Sequence, residues 1–162
     1  MKQIQLPRGY TALVDDGDFA FLSQFKWEVD VRKGQVYAKM YVEERANGVR
    51  IRRRVFYLHR YIMGATERAV FVDHRSGDSL DNRRGNLRIC TQAENSRNKK
   101  QMPSKSGFKG VHPTPSGRWA AKLMLNYKSV SAGTYDTPED AARAYDQKAV
   151  ECFGQFARLN FP

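Results

Sequence analysis

The sequence predicts an α+β protein made of two small modules. Short segments that alternate apolar and polar residues, as half-buried strands do, recur along all 162 residues. Only two segments, near residues 92–100 and 137–154, have the length and capping residues of full helices. Residues 101–107 are polar and contain proline and serine, which is the composition of a linker. We therefore predict three segments: a first module over residues 1–100, a linker over 101–107 and a second module over 108–162.

The first module begins with a β-rich extension. One helical turn is expected over residues 15–25, with Asp16 or Asp18 as its N-cap. Residues 36–42 and 49–58 are predicted strands, joined by the hairpin signal Asn-Gly at 47–48. The second of these strands carries four arginines: Arg50, Arg52, Arg53 and Arg54. A solvated strand face and phosphate contact explain them equally well, so both interpretations stay open.

The first module ends in a strand, loop, strand and helix. Val70–Asp73 is a short apolar run, so His74 lies where a strand gives way to a loop. Residues 77–85 supply the turn-forming residues of that loop, and residues 87–91 have the pattern of a returning strand. Residues 92–100 are predicted to be helical.

The second module is predicted to be three strands followed by one helix. The strands are expected near residues 108–112, 118–125 and 128–135, and the connections between them have hairpin length. Thr137 is the expected N-cap of the helix, and Gly154 ends it. This order predicts a small antiparallel sheet packed on a single helix.

The middle strand of the second module has two different faces. One face is apolar and consists of Trp119, Ala121, Leu123 and Leu125. The opposite face is partly cationic and consists of Arg118, Ala120, Lys122 and Met124. We expect the first face to belong to the core and the second to face a partner.

The charge of the chain favours a polyanionic partner. The 28 lysines and arginines exceed the 17 acidic residues, which gives a formal net charge of +11. Such a surplus is typical of proteins that bind nucleic acid or anionic lipid heads. No apolar run approaches the roughly 20 residues that span a bilayer, so nucleic acid is the expected partner and no membrane is involved.

The N-terminus and the cysteines bear on the compartment. Residues 1–10 lack the apolar centre of a signal peptide, so we expect the protein in the cytosol or nucleoid of the cell that makes it. Cys90 and Cys152 are too few for a four-ligand zinc site, and we expect both to be small buried residues.

Residues 72–100 combine the groups that metal-assisted phosphodiester cleavage requires. His74, with a reference pKa of about 6.5, is the candidate general base that deprotonates water. Asp73 and the amide oxygen of Asn95 are candidate ligands of one divalent cation, for which Mg²⁺ is the natural choice. Asn86 is expected to brace the loop and to hold the His74 ring in its productive tautomer. The nearby cations Arg83, Arg84 and Arg88 are candidate phosphate contacts.

For three further polar residues, a structural role is one of the interpretations or the expected one. Asn82 follows an aspartate in the loop and is expected to form a turn. Asn98 is either a second candidate ligand or an ordinary polar residue of the helix. His59 is expected to be a hydrogen-bonded framework residue.

The segment Leu58–Lys100 resembles the HNH endonuclease family, in the form found in phage and intron-encoded homing enzymes. The matching motifs are LHR, VDH, LDNRRGNLR, and EN with a second Asn three residues later. The resemblance implies a ββα-metal unit that binds one Mg²⁺ or Mn²⁺ ion and no structural zinc. It places the metal ligands on Asp73 and Asn95, the general base on His74 and the middle Asn of the family motif on Asn86.

The segment Ser106–Pro162 resembles the Apetala, or ethylene-response-factor, type of DNA-binding domain. The matching motifs are GFKGV, GRWAAKL, AGTYDTPEDAARAYDQKAVECFG and ARLNFP. The resemblance implies that the sheet enters the major groove while the helix supports it from behind. The groove-facing positions that it implies are Lys109, His112, Lys122, Met124, Ser129, Ser131 and Thr134. Arg118 and Lys128 are further expected DNA contacts.

The second resemblance has departures that bear on specificity. Plant members place base-contacting arginines and tryptophans where this sequence has His112, Met124, Ser129 and Ser131. The plant target sequence is therefore not implied, and contacts mainly to phosphates are expected.

These observations predict a metal-dependent endonuclease that cleaves double-stranded DNA, acts as a monomer and is targeted by its C-terminal sheet. Two alternatives stay open. One is a non-catalytic DNA-binding regulator that keeps the HNH unit as a scaffold, and the other is a basic RNA- or ribosome-associated protein.

Overall fold

The structure is a computed structural model that describes residues 1–47, 49–99 and 104–162. It is mixed α and β and rich in strands, and within the described residues the strands form four small antiparallel sheets. The chain divides into two compact units, Met1–Gln92 and Ala93–Pro162. The predicted combination of helices with small sheets is therefore confirmed. Gly48 of the predicted hairpin turn and residues 101–103 of the predicted linker lie outside the described residues.

The elements follow the chain in this order: β1 (Lys2–Gln5), β2 (Thr11–Val14), α1 (Asp16–Leu22), β3 (Glu28–Arg32), β4 (Gln35–Ala46), β5 (Val49–Tyr57), α2 (Leu58–Ile62), β6 (Phe71–His74), β7 (Leu87–Cys90), α3 (Gln92–Arg97), β8 (Val111–Pro113), β9 (Trp119–Leu125), β10 (Lys128–Tyr135) and α4 (Pro138–Phe153). Short 3-10 turns lie at Pro7–Gly9 and Gly154–Phe156. Among the described residues there is no helix both long and apolar enough to cross a membrane.

The first unit has one apolar core beneath three small sheets. The pairs β1–β2 and β6–β7 and the three-stranded sheet β3–β4–β5 all contribute to it. Its most deeply buried members are Ala12, Val14, Leu22, Ala38 and Leu58. Strands β1, β2 and β3 and helix α2 were not predicted, because each is too short or too polar to show a clear period by itself.

Strands β4 and β5 confirm the predicted hairpin and extend it. Strand β4 runs to Ala46, four residues beyond the predicted end at Val42. Those extra residues are exposed and three of the four are charged, and their pairing with β5 holds them in the strand. The N-cap of α1 is Asp15, and not Asp16 or Asp18, which both lie inside the helix.

The second unit is a three-stranded antiparallel sheet, in the order β10–β9–β8, packed against α4. Val111, Ala121, Leu123 and small residues of α4 form its core, with Trp119 and Leu125 packed at the edge. The predicted alternation of β9 is confirmed, because Lys122 and Met124 on the opposite face are exposed. Strand β8 begins three residues later than predicted, at Val111, because Gly107 and Gly110 adopt left-handed conformations before it.

Helix α4 has the predicted ends. The Oγ1 of Thr137 accepts a hydrogen bond of 3.1 Å from the backbone N–H of Asp140, and Pro138 occupies the first turn. Gly154, with φ of 52°, ends the helix. Alanines at 141, 142 and 149 are fully buried, which allows the helix axis to approach the sheet closely.

Gly110 is required where the chain enters the second sheet. Its φ is +75°, and a Cβ at this position would lie 2.1 Å from the Tyr145 ring and 2.7 Å from the carbonyl oxygen of Lys122. The loop before β8 therefore touches both α4 and β9 only because residue 110 has no side chain.

We expect Gly110→Ala to lower the free energy of unfolding of the second unit by roughly 2–5 kcal/mol. A left-handed backbone costs about 1–2 kcal/mol in a residue with a Cβ, and overpacking adds about 1–3 kcal/mol. Gly117→Ala is the matched control, since Gly117 has φ of +79° and open space within 4 Å. Urea unfolding followed by tryptophan fluorescence checks this, and equal losses for the two variants would contradict the steric argument.

Candidate functional site

The last two residues of β6 form the centre of the candidate site. Asp73 and His74 are both buried, with 5% and 7% of their surface exposed. Asp73 lies opposite Arg88 of β7, whose Nε donates a hydrogen bond of 2.8 Å to Oδ2 of Asp73. Arg88 is also buried, at 6%. Each charge would be costly to bury alone, and the ion pair compensates both. Arg88 was predicted to contact DNA, but it is buried and binds Asp73 instead of facing solvent.

The His74 ring meets the carboxamide of Asn82. Its Nε2 lies 3.4 Å from Oδ1 of Asn82, while Nδ2 of Asn82 donates 3.0 Å to the carbonyl oxygen of Leu80. Burial lowers the pKa of His74 below its usual value, and the hydrogen bond that its ring donates to Asn82 acts in the opposite direction. The net effect favours the neutral imidazole near pH 7, which is the form a general base requires.

Asn86 braces the loop between β6 and β7, as predicted. Its Oδ1 accepts a hydrogen bond of 2.9 Å from the backbone N–H of Ser76, and its Nδ2 donates 2.7 Å to the carbonyl oxygen of Asp81. The carboxamide expected to orient His74 was that of Asn86, but Asn82 is the asparagine that meets the ring. Asn82 is only 1% exposed, and nothing in the sequence distinguishes it from a turn-forming asparagine.

The loop is also held from outside. Its backbone pairs with β2, where the N–H of Leu13 donates to Leu80 and the N–H of Asn82 donates to Leu13. The hydroxyl of Ser79 donates 2.6 Å to the carbonyl oxygen of Val36 in β4. These contacts, between segments far apart in the sequence, fix the position of Asn82 against the imidazole.

Three aromatic side chains that were not predicted as part of the site lie beside His74 or beside its neighbour His59. The His59 ring centroid lies 5.0 Å from that of His74. Tyr37 lies 5.6 Å from His59 and 6.4 Å from His74, and Tyr57 lies 5.8 Å from His59. Burial, with smaller contributions from the charges of His74 and Arg60, lowers the pKa of His59 to about 3. A second neutral histidine therefore packs against the candidate base.

Arg83 and Arg84, two further predicted DNA contacts, form ion pairs within the first unit. Arg83 binds both carboxylate oxygens of Asp81, at 2.7 and 2.6 Å. Arg84 binds both oxygens of Asp18 at 2.8 Å, and its backbone N–H donates to Asp15. Both guanidiniums remain about half exposed, at 42% and 56%, so they connect the loop to its surroundings while still reaching solvent.

The other candidate ligand, Asn95, lies on α3, most of which belongs to the second unit. It is partly exposed, whereas Asn98 one turn later is buried. Lys109 holds the end of this helix, since its ammonium group donates to the carbonyl oxygen of Arg97 and, at 3.0 Å, to that of Lys99. Burial, aided by the charge of Arg158, lowers the pKa of Lys109 to about 8. The ammonium group of Lys109 therefore makes its contacts within the second unit and does not point towards the exposed side of the sheet β8–β9–β10.

The donor chemistry of Asp73 and Asn95 fits a hard divalent cation. Both offer oxygen atoms, which Mg²⁺ and Mn²⁺ prefer. In the part of the chain that the structure describes, no group of three or more His, Cys, Asp and Glu side chains is arranged to hold a metal ion.

The second unit presents a polar face on the side of the sheet opposite α4. Its exposed members were all predicted from the sequence: His112, Lys122, Met124, Ser129, Ser131 and Thr134. Arg118 is exposed at the end of this face and pairs with Asp136 at 2.7 Å. Lys128 is exposed but lies opposite Leu125, on the helix side of the sheet.

Comparison with known proteins identifies the first unit's motif. A family model described as HNH endonuclease matches residues 56–97. An uncharacterized HNH endonuclease of Acanthamoeba polyphaga mimivirus is 31% identical over 149 residues, which cover 89% of this chain and 75% of that protein. The chain belongs to the HNH endonuclease family. The residues of β6, the loop and β7 described above all lie inside the matched segment of this HNH family member.

The HNH family member is also similar to plant regulators. An AP2/ERF and B3 domain-containing protein of Oryza sativa subsp. japonica is 46% identical over 57 residues, which are 35% of this chain and 16% of that protein. An ethylene-responsive transcription factor of Arabidopsis thaliana is 31% identical over 97 residues, which are 57% of this chain and 60% of that protein. The chain thus spans less than two thirds of either plant protein. Both resemblances predicted from the motifs are confirmed.

The depressed pKa of His59 predicts a pH-dependent stability. The unfolded chain takes up the proton near pH 6.5 and the folded chain only near pH 3, so acidification through this window favours unfolding. We expect the free energy of unfolding to fall below pH 6.5 by up to about 1.4 kcal/mol per pH unit from this group. Urea unfolding of the wild type and of His59→Gln at pH 7, 6 and 5 measures the difference. The same slope in both proteins would show that His59 titrates normally.

Proposed function

We propose that this protein is a metal-dependent endonuclease that hydrolyses phosphodiester bonds in double-stranded DNA. The observation that carries the proposal is the buried His74, which favours the neutral form and lies next to Asp73 in a member of the HNH endonuclease family. Strands β6 and β7 with helix α3 are proposed to form the ββα-metal unit, within a nuclease module over residues 1–100. The molecule is proposed to act as a monomer.

His74 is the proposed general base. The side-chain NH₂ of Asn82 donates a hydrogen bond to the carbonyl oxygen of Leu80, so the side-chain oxygen of Asn82 faces Nε2 of His74. A neutral ring that donates from Nε2 has its lone pair on Nδ1, and we propose that this lone pair accepts the proton of the attacking water. Asn82 is therefore a positioning residue, and Asn86 acts one step further away by holding the loop.

Asp73 and Asn95 are the proposed metal ligands. A Mg²⁺ or Mn²⁺ ion, when bound, supplies positive charge for the phosphate in the transition state and for the departing 3′ oxygen. Arg88 keeps the buried carboxylate of Asp73 compensated before substrate arrives. The guanidinium and the carboxylate together also hold β6 and β7 in register.

The polar face of the second unit is the proposed targeting surface. Lys122 and Arg118 carry charge for phosphate contacts, while His112, Ser129, Ser131 and Thr134 offer short polar groups at neighbouring register positions. Residues 108–162 are proposed to be an ethylene-response-factor type of DNA-binding domain. In this arrangement the second module chooses the site and the first module cleaves it.

One observation favours a different function. The Asp73–Arg88 pair is so well buried that a purely structural role would also explain it. The chain would then be a DNA-binding regulator that keeps the HNH unit as scaffold. That alternative predicts no cleavage at any Mg²⁺ or Mn²⁺ concentration.

Supercoiled plasmid distinguishes the two functions. We expect nicking that requires Mg²⁺ or Mn²⁺ and that falls by about 10²–10⁴-fold in His74→Ala, because a general base typically contributes that factor. The control is the variant Glu139→Gln, which changes an exposed residue of α4 and which we expect to cleave plasmid at the wild-type rate. Gel electrophoresis gives the rates and fluorescence anisotropy the DNA affinity. Equal rates for wild type and His74→Ala would refute the proposed base.

Asn95 permits a test of the metal site with little risk to the fold. We expect Asn95→Ala to raise the Mg²⁺ concentration for half-maximal nicking at least about tenfold, since even a change next to a ligand costs 10–100-fold in metal affinity. Ser96→Ala, an exposed position on the same helix, is the control. If Asn95→Ala and Ser96→Ala have the same Mg²⁺ dependence, Asn95 is not a ligand.

A further inference from the structure

The sheet β3–β4–β5 has one face that the core does not use. Ala38 and Met40 point into the core, so the alternate residues of β4 and their partners lie on the other side of the sheet. We call this side the open face. Its members are Glu28, Asp30, Arg32, Gln35, Tyr37, Lys39, Tyr41, Glu43, Arg45, Arg50, Arg53, Val55 and Tyr57.

Cations and tyrosine rings alternate along the open face. The Arg53 guanidinium lies 3.5 Å from the ring centroid of Tyr41, and the Lys39 ammonium lies 5.3 Å from the same centroid. The Arg32 guanidinium lies 5.4 Å from the ring centroid of Tyr57. Stacking of this kind orders long side chains without removing their charge, so they reach a ligand with less loss of entropy.

The charge balance changes along the face. Near the candidate base, Arg32 and Lys39 are matched by carboxylates, with Asp30 contacting both at 2.6 and 3.0 Å. Towards the hairpin end, a single carboxylate, Glu43, lies among three arginines, with Arg45 at 2.8 Å, Arg50 at 3.6 Å and Arg53 at 4.0 Å. These three guanidiniums stay 60%, 55% and 43% exposed. The outer half of the open face therefore carries a surplus of positive charge.

The open face runs directly to His74. Tyr37, at the inner end of β4, is the residue whose ring lies 6.4 Å from that of His74. From Tyr37 to Arg45 the strand rises by roughly 26 Å, at about 3.3 Å per residue. That length equals the rise of about eight base pairs along one strand of duplex DNA.

We propose that the open face binds the sugar–phosphate backbone of duplex DNA and leads it from the hairpin end to His74. This rests on the proposed function, whose substrate is double-stranded DNA. Arginine guanidiniums match phosphate geometry, and contacts to phosphate carry no sequence information. The open face therefore contributes affinity and alignment at the cut, while the choice of site lies with the second unit.

The same hairpin supplies a matched control for this proposal. Arg50 and Arg53 lie on the open face, whereas Arg52 and Arg54 pair with Glu44 and Val42 on the opposite side of β4. All four are exposed arginines of one strand. The variants Arg50→Gln/Arg53→Gln and Arg52→Gln/Arg54→Gln thus remove the same charge from opposite faces.

Binding of the full-length variants to a 30-base-pair duplex is measured by fluorescence anisotropy over a range of salt concentrations. We expect the slope of log Kd against log salt to fall by about 1.8 in Arg50→Gln/Arg53→Gln, at about 0.9 per phosphate contact, and to stay unchanged in Arg52→Gln/Arg54→Gln. Arg50→Lys/Arg53→Lys keeps the charge and is expected to restore the slope. Circular dichroism establishes that every variant is folded.

Several outcomes would overturn the inference. They are an equal change in slope for the two pairs, no change for either pair, or tighter binding of a structured RNA hairpin than of the duplex. If the wild type nicks plasmid and the two pairs behave alike, only the open-face inference fails. If Arg50→Gln/Arg53→Gln changes the slope but the wild type never nicks with Mg²⁺ or Mn²⁺, the endonuclease proposal fails and DNA binding by the open face stands.

Discussion

The buried ion pair between Asp73 and Arg88 is the constraint on which the candidate site depends. A charge buried without its partner costs several kcal/mol, so the register of β6 and β7 that joins these two residues is strongly favoured over a shifted one. A shift by one residue would also move His74 to the opposite side of the strand pair, away from Asn82 and His59. The need of the buried Asp73 carboxylate for a positive partner therefore also fixes the position of the neighbouring His74 imidazole.

Once β6 and β7 are in register, the loop between them determines what the imidazole can do. Asn86 ties the two ends of the loop, and backbone pairing with Leu13 of β2 holds Asn82 against the ring. Burial among His59 and Tyr37 disfavours the protonated form. The result is a neutral histidine with a defined orientation, which is the arrangement that proton abstraction from water requires.

The two units divide their surfaces in the same way. Each has a small sheet with one apolar face in a core and one polar face turned away from it. In the second unit, α4 and its buried alanines cover the apolar face and leave His112, Lys122 and their neighbours exposed. In the first unit, the cations of the open face are held by tyrosine rings and by Asp30 and Glu43. In the proposed function, the polar face of the first unit aligns DNA for cleavage and the polar face of the second unit selects the site.

The sequence by itself determined those features that depend on neighbouring residues along the chain. The alternation of β9 assigned its two faces, Thr137 and Gly154 marked the ends of α4, and the spaced motifs around His74 identified the family. The tertiary structure decided which side chains meet. The His74 imidazole contacts Asn82 rather than Asn86, Arg88 forms an ion pair with Asp73, and Lys109 binds carbonyl oxygens at the end of α3. The physical reason is that hydrophobic period and capping are local properties, whereas hydrogen-bond and ion-pair partners depend on strand register and loop path. Those are set only when segments far apart in the sequence pack together.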